Sequence, residues 1–354
     1  MIKLIFCVII GCFFSAIILT GVPYYYLLGM LGVGVIGALF IVNPLRFLWL
    51  LFLVRAAVDP LLVKIRFGFG GMDLGLGGAV SLLIIILTLV YFLTIGAQRS
   101  GMVNQPVVWV YLFFCMIGFF SFFLVPDKGE TFKTLIRHFS VLSILVLTML
   151  LVEQEKDGYQ LIFAMILSPI FSVAVGLAQG NFIKEGTRFA GSLGHPNILA
   201  FYVLILLGCL FFGMDRWRHG ISKLGKFRIA HFIFIFVVLV STRTRSGWLA
   251  FAIMLFLYAA SFNKKIFIPV ILLLAGSTFL PMVQERILNT VEFTRDGVEV
   301  REESSLGWRM QKWEYLWNAG LKKPFAGHGL GASGTFGNDT LGAHNAYLRY
   351  FVYT

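Results

Sequence analysis

Long apolar runs recur along the whole chain, and they constrain its fold more than any other feature. A helix needs about 20 mostly apolar residues to cross a bilayer. Runs near this length, separated by polar, Gly or Pro breaks, lie at 4–20, 24–42, 45–58, 79–97, 107–125, 135–152, 159–178, 196–213, 229–242, 247–262 and 266–282. The sequence therefore predicts an all-α, polytopic transmembrane bundle of about eleven to twelve spans.

The composition supports a lipid environment. Of the 354 residues, 58% are hydrophobic and 13% are charged, whereas soluble domains have about 45–50% apolar and about 25% charged residues. The formal net charge is +12. In a chain with so many spans, this charge indicates basic cytoplasmic loops and anionic lipid or phosphate partners, and not nucleic acid.

The distribution of Lys and Arg predicts the orientation. The loop 214–228 contains five basic residues, and Lys264 and Lys265 lie in the next loop on the same side. That side is expected to be cytoplasmic. The opposite side has nearly as many basic residues in its short loops. Either the span count is wrong, or external Arg residues are kept because they bind something anionic.

Three regions follow from these runs. Residues 1–282 form the predicted transmembrane core, and the polar stretch 283–345 forms an extracytoplasmic loop. Within the loop, Ser304 and Ser305 can cap an interfacial helix that extends to about Ala319 and carries several Trp residues. Residues 346–354 are expected to begin a further span that is truncated at Thr354.

Two Arg-containing segments fall on the same predicted face as the long loop. Arg188 shortly precedes Pro196, and Arg243 and Arg245 directly precede the apolar run at 247–262. Both following helices would begin at this face, so their N-terminal N–H groups and positive dipole ends would lie beside the Arg residues. Such an arrangement suits a phosphate or pyrophosphate. The alternative is that these side chains only anchor helix ends at the lipid headgroups.

Histidine supplies the remaining candidate chemistry. His344 lies near the end of the long loop and can act as a general base, because an unperturbed imidazole titrates near neutral pH. His195 is more consistent with a helix-capping role. No Asp-x-Asp and no paired His at metal-ligand spacing is present outside the spans, so neither a metal nor another cofactor is expected.

The ordered motifs of residues 185–350 resemble the O-antigen ligase and O-antigen polymerase superfamily of bacterial envelope glycan enzymes. The matching segments are Arg188-Phe-Ala-Gly-Ser with His195-Pro-Asn197, Ser241-Thr-Arg-Thr-Arg-Ser-Gly247, Arg309 with Trp313, Pro324-Phe-Ala-Gly-His-Gly-Leu-Gly331, and Ala343-His-Asn-Ala-Tyr-Leu348. Each motif alone is weak, but the ordered set is specific. The N-terminal half matches only in having many spans.

The resemblance implies a GT-C-like helical fold and a glycosyltransferase without a metal. Members of this superfamily move a glycan from undecaprenyl pyrophosphate to an acceptor at the outer face of the bacterial inner membrane. The acceptor is a lipid-linked core for lipopolysaccharide ligases and another glycan for polymerases. By motif, Arg188 with Arg243 or Arg245 would bind the pyrophosphate, Arg309 would assist, and His344 would be the catalytic base.

A transporter or flippase for a lipid-linked glycan is the alternative. Transporters usually place ionisable residues at the bilayer midplane and contain repeated halves with broken helices. The interiors of these spans are almost free of charge, and no duplicated half is evident. The polar residues gather at one face instead, which favours an enzyme.

Overall fold

We describe the fold from a computed structural model of the chain. The structure describes residues 24–64, 66–69, 72–94, 105–123, 125, 128–181, 188–216, 225–262, 268, 272, 291–294, 297–300, 305–324, 327–329 and 346–353.

Helices account for most of the described residues, as the apolar runs predict. They are α1 (Tyr24–Val42), α2 (Pro44–Lys64), α3 (Leu76–Thr94), α4 (Pro106–Ser121), α5 (Lys128–Leu151), α6 (Glu155–Ala178), α7 (Pro196–Arg216), α8 (Gly225–Ser241), α9 (Arg245–Phe262), α10 (Ser305–Leu321) and α11 (Ala346–Tyr353). Among the described residues, four helices are long and apolar enough to cross a membrane, and three shorter apolar helices accompany them. The chain is therefore a multi-pass helical membrane protein.

The predicted runs correspond to helices α1 to α9 one by one, although several helices begin earlier than their apolar runs. Helix α5 begins at Lys128 where the run begins at 135, because its first turns are polar. The first and last runs, at 4–20 and 266–282, fall outside the described residues apart from 268 and 272. The total of eleven to twelve spans therefore stays a prediction.

Local sequence explains where several helices begin. Proline is the first residue of α2, α4 and α7, where its missing N–H would have no intrahelical partner. Helix α6 begins with a capping box, in which the Gln154 N–H donates to the Asp157 carboxylate at 3.1 Å.

Two short antiparallel hairpins accompany the helices, and the sequence analysis did not predict them. Strands β1 (Arg66–Phe69) and β2 (Met72–Gly75) pair between α2 and α3. Strands β3 (Val291–Thr294) and β4 (Gly297–Val300) pair within the predicted long loop.

The chain divides into two compact units. The first comprises residues 1–104 and 143–254, and the second comprises 105–142 and 255–354. The division into a core of 1–282, a loop of 283–345 and a further span stays a prediction.

Helices α2 and α6 form the most extensive helix pair of the first unit. A buried apolar cluster that includes Leu48, Ile84, Leu147 and Leu161 surrounds them. Leu161, in the second turn of α6, lies with the N-terminal residues of α2 around one cavity. The Ser192 hydroxyl makes hydrogen bonds with the Ala56 carbonyl, further along α2, and with the Ser172 hydroxyl, further along α6. The two helices therefore run parallel. The segment that follows α6 and carries Ser192 contacts α2 at Ala56, away from the end where both helices begin.

In the second unit, α10 packs against α11. Leu316 and Val352 are both fully buried there, and the Trp317 and Phe351 rings stack at 5.0 Å. The His328 N–H donates to the Val352 carbonyl at 2.7 Å, and Nε2 lies 2.9 Å from the Ala319 carbonyl. His328 therefore connects the two helices.

Candidate pyrophosphate site

The segment that carries Arg188 is held tightly against α6. Gly191 adopts a φ of +57°, a conformation that glycine adopts with little strain. A Cβ placed on Gly176 of α6 would lie only 2.5 Å from the Gly191 carbonyl carbon. The two backbones thus approach so closely that only glycine fits at position 176.

Buried serines fix the same segment between two helices. The Ser192 hydroxyl donates to the Ala56 carbonyl at 2.6 Å and lies 2.7 Å from the Ser172 hydroxyl. Because a hydroxyl has one hydrogen, Ser172 must be the donor to Ser192. The Ser192 N–H also donates to the Ser172 carbonyl at 3.1 Å. This chain of hydrogen bonds anchors the Arg188 segment to the α2–α6 pair.

Arg188 then joins the segment to the turn between α8 and α9. Its Nε donates to the Thr242 carbonyl at 3.2 Å. Its Nη2 donates to the Thr244 hydroxyl at 3.0 Å and also to the Asn197 side-chain oxygen. The Phe189 N–H donates to the Ser241 carbonyl at 3.1 Å. One guanidinium therefore bridges the first turn of α7 and the residue before α9.

The starts of α7 and α9 lie side by side as a result. The Thr244 hydroxyl donates to the Asn197 oxygen at 3.3 Å, although Asn197 and Thr244 are 47 positions apart. The Asn197 N–H also donates to His195 Nδ1 at 3.2 Å. This contact agrees with the capping role expected of His195. Two helix N-termini, each with a positive dipole end, therefore face one place.

Arg243 has an unusual backbone in this turn. Its φ of +49° makes it a non-glycine residue in the left-handed region, a conformation that raises the free energy of such a residue by about 1–2 kcal/mol. The Arg243 side chain is half-buried and has no hydrogen-bond or ion-pair partner among the described residues. Arg245, the first residue of α9, is exposed. Strained turns of this kind are frequent at binding sites.

The local charge is strongly positive. Arg188, Arg243 and Arg245 lie in segments 188–214 and 225–262, which contain no Asp or Glu residue. Positive helix ends add to this potential. An anion with several oxygens, such as a pyrophosphate, would be favourably bound here.

The other two predicted site residues are Arg309 and His344. Arg309 is half-buried on α10, in the other unit. His344 lies outside the described residues, two positions before α11 begins. The roles of Arg188, Arg243, Arg245, Arg309 and His344 therefore stay predictions.

The supporting residues of this site were not predicted from the sequence. Asn197 and Thr244 were quoted as parts of motifs but were not predicted to bind Arg188. Their positions at helix starts were the available signal, since Asn and Thr are common there. Ser192 gave no comparable signal, because its partners Ala56 and Ser172 are distant in sequence.

In the part of the chain that the structure describes, no three His, Cys, Asp or Glu side chains are grouped as metal ligands would be. A reaction that does not depend on a metal stays a prediction.

The comparisons with known proteins agree with the motifs. Residues 230–354 match the family model described as O-Antigen ligase. The chain is also similar to a ComP-specific O-oligosaccharyltransferase of Acinetobacter baylyi, with 25% identity over 292 residues. That alignment covers 77% of this chain and 52% of the relative, so the chain spans about half the length of the relative it matches. No solved structure matches, so the GT-C-like likeness stays an expectation.

The family match covers most of α8, the Arg243–Arg245 turn, α9, Arg309 and His344. The similarity to the A. baylyi relative extends over more of the chain than the family model does. Residues 230–354 are therefore similar to the O-antigen ligase family, which is the resemblance that the ordered motifs predict.

Proposed function

We propose that this protein transfers a glycan from undecaprenyl pyrophosphate to an acceptor hydroxyl at the outer face of the bacterial inner membrane. The observation that carries the proposal is the Arg188 bridge, which brings Arg188, the 242–245 turn and the starts of α7 and α9 together. The 242–245 turn and the start of α9 lie within residues 230–354, the segment that matches the family model.

In this reaction the acceptor oxygen bonds to the anomeric carbon of the donor glycan. The bond from that carbon to the pyrophosphate oxygen breaks, and undecaprenyl pyrophosphate leaves with an added negative charge. Arg243, Arg245 and the two helix ends stabilise this charge, and Arg188 keeps these groups in place. Groups fixed in advance stabilise developing charge without reorganising, so no metal is required.

His344 accepts the proton from the acceptor hydroxyl. A positioned base of this kind accelerates a reaction by about 10²–10⁴-fold. Arg309 lies within the same family match as His344 and is assigned a weaker contact with the donor phosphates.

The acceptor is a lipid-linked core, a growing glycan or a protein hydroxyl. The first two follow from ligases and polymerases of the superfamily. The third follows from the relative, which is named as an O-oligosaccharyltransferase specific for ComP. The partners are thus the lipid-linked donor, one of these acceptors and the membrane lipids.

A transfer assay tests the proposal. The purified chain is incubated with undecaprenyl-pyrophosphate glycan, each acceptor class in turn, and EDTA. We expect one acceptor to gain the glycan in EDTA, and we expect His344→Ala to remove at least 99% of the rate, as a loss of about 10²-fold implies. The control is that the His344→Ala protein inserts into the membrane at wild-type abundance.

If no acceptor gains the glycan and the protein instead moves the lipid-linked glycan across a vesicle membrane, the result would support a transporter or flippase. Full turnover by a correctly inserted His344→Ala protein would remove the proposed base. Loss of transfer in EDTA, restored by a divalent cation, would contradict metal independence.

A further inference from the structure

A mostly apolar cavity lies where α1, α2 and α6 meet, toward the end of α2 opposite to its Ser192 contact. It has a volume of about 570 Å³ and is lined by Leu39, Asn43, Leu45, Arg46, Trp49, Leu50, Gln160 and Leu161. The parallel course of α2 and α6 places the cavity at the predicted cytoplasmic face, away from the Arg188 bridge.

One cation dominates the cavity. Arg46 is exposed, and its guanidinium makes no hydrogen bond or ion pair to any described residue. The carboxylates at this end of α6 include Glu155, which accepts from the Tyr159 hydroxyl at 3.2 Å, and Asp157, which accepts from the Gln154 N–H at 3.1 Å. Neither forms an ion pair with Arg46. The guanidinium therefore has its five N–H donors available for an external anion.

Two amides add donors next to Arg46. The Asn43 Oδ1 accepts from the Arg46 N–H at 2.9 Å, which caps α2 and fixes the Asn43 side chain. Its Nδ2 group and the Gln160 side chain have no hydrogen-bond partner among the described residues. The cavity thus combines one cation and two amides with four leucines and Trp49.

This pairing of a cationic end with apolar walls matches an anionic phospholipid. Its phosphate can accept from Arg46, while its acyl chain lies along the leucines. Basic pockets between helices bind anionic headgroups in this way, and the cytoplasmic leaflet is rich in them. Trp49 suits the same depth, because indole rings favour the headgroup region.

We propose that this cavity binds the headgroup of an anionic phospholipid, such as phosphatidylglycerol, through Arg46. The site does not depend on the proposed glycan transfer, and the lipid is a bound component of the membrane and not a reactant. Zwitterionic phosphatidylcholine would bind less well, because its choline cation would lie near the Arg46 guanidinium.

Fluorescence quenching of Trp49 tests the proposal in the full chain, purified in detergent. Brominated phosphatidylglycerol and brominated phosphatidylcholine are titrated separately, and the signal of Trp49→Phe is subtracted to isolate Trp49. We expect phosphatidylglycerol to quench Trp49 at an approximately fivefold lower concentration, as one favourable basic contact implies.

Three variants identify the cause of that preference. Arg46→Gln should abolish it, and Arg46→Lys should retain most of it. Lys156→Gln is the matched control, because Lys156 is an exposed cation near the start of α6 that does not line the cavity. It should retain the full preference.

Several results would overturn the proposal. Equal quenching of the wild-type protein by the two lipids would overturn the proposal. This comparison does not require the Arg46→Gln protein to fold. An unchanged preference in Arg46→Gln, or an equal loss in Lys156→Gln, would assign the effect to general surface charge. Displacement of phosphatidylglycerol by a lower concentration of undecaprenyl pyrophosphate would make the cavity a donor site instead.

Discussion

Arg188 shows how one residue can organise a site before any substrate binds. Its guanidinium donates to Thr242 and Thr244 in the turn before α9 and to Asn197 at the start of α7, which are two separate stretches of the chain. Thr242 and Thr244 are almost completely buried. The donors of an Arg are spread over Nε and two Nη atoms in a rigid planar fork, whereas the three donors of a Lys radiate from one nitrogen and cannot match the same arrangement of acceptors.

Arg188→Lys should therefore destabilise the protein. At least one acceptor loses its partner, and an unsatisfied buried group costs about 1–3 kcal/mol. We expect the free energy of unfolding in detergent to fall by about this amount. Arg137→Lys is the control, because Arg137 is exposed on α5 and should change stability by about 0.5 kcal/mol or less. Equal stability of the two variants would refute the bridging role.

Arg243 differs from Arg188 in its environment. It is half-buried, lies in the left-handed region and has no hydrogen-bond or ion-pair partner among the described residues. Arg188 is committed to holding the turn, whereas Arg243 has a guanidinium available for a ligand. We therefore favour Arg243 over Arg245 as the main pyrophosphate contact, a choice that the sequence left open.

At the scale of elements, the site depends on the close approach of the Arg188 segment to α6. The contact between Gly176 and Gly191 allows Ser192 to reach both Ser172 and the Ala56 carbonyl. A larger residue at position 176 would separate these backbones. The position of Arg188 is thus set by a contact of two glycines.

Gly176→Ala tests this contact. The new Cβ would lie 2.5 Å from the Gly191 carbonyl carbon, and relieving such overpacking costs about 1–3 kcal/mol. We expect a lower melting temperature and a lower rate of glycan transfer.

Gly158→Ala on the same helix is the control for this prediction. There the Cβ would meet only the Val152 side chain, at 3.7 Å. Since Ala favours helix over Gly by up to about 1 kcal/mol, this variant should be neutral or slightly stabilised. If both variants behave alike, the close approach does not position the segment.

The elements themselves were largely predictable from the sequence. Continuous apolar runs identified α1 to α9, because a spanning helix must be apolar over its length. Helices α2, α4 and α7 begin at Pro44, Pro106 and Pro196, at or beside the starts of their apolar runs, because proline is well suited to the first helical position. The polar first turns of α5 and the hairpin β1–β2 were not predicted, because neither continues an apolar run.

The tertiary contacts of the site were not predictable to the same degree. Two predicted spans separate Arg188 from the 243–245 turn, so both were expected on one face of the membrane. The number of spans does not specify which residues are neighbours within that face. The Arg188–Thr242 and Ser192–Ala56 hydrogen bonds join residues 54 and 136 positions apart. Such pairs depend on which helices pack together, and a single sequence carries little information about that.

At the scale of the molecule, two groups of basic residues lie toward opposite ends of the α2–α6 pair. The Arg188 bridge gathers three arginines and two helix starts where α7 and α9 begin. The Arg46 cavity lies where α2 and α6 begin. We assign the first to a lipid-linked donor and the second to an anionic lipid, so the same charge chemistry serves binding at both faces.

The central claim is that arginines at the first of these faces bind the pyrophosphate of the glycan donor. The most direct test measures the initial rate of transfer against donor concentration for wild type, Arg243→Gln, Arg245→Gln and the exposed control Arg137→Gln. Glutamine is shorter and uncharged but has the same Cβ, so the backbone strain at position 243 is unchanged.

Losing one charged hydrogen bond, about 1.5–3 kcal/mol, should lower kcat/KM for the donor by about tenfold to a hundredfold in Arg243→Gln. A smaller fall is expected in Arg245→Gln and none in Arg137→Gln. If Arg243→Gln and Arg245→Gln both stay within about twofold of wild type, less than 0.5 kcal/mol, the arginines do not bind the pyrophosphate and the account is contradicted.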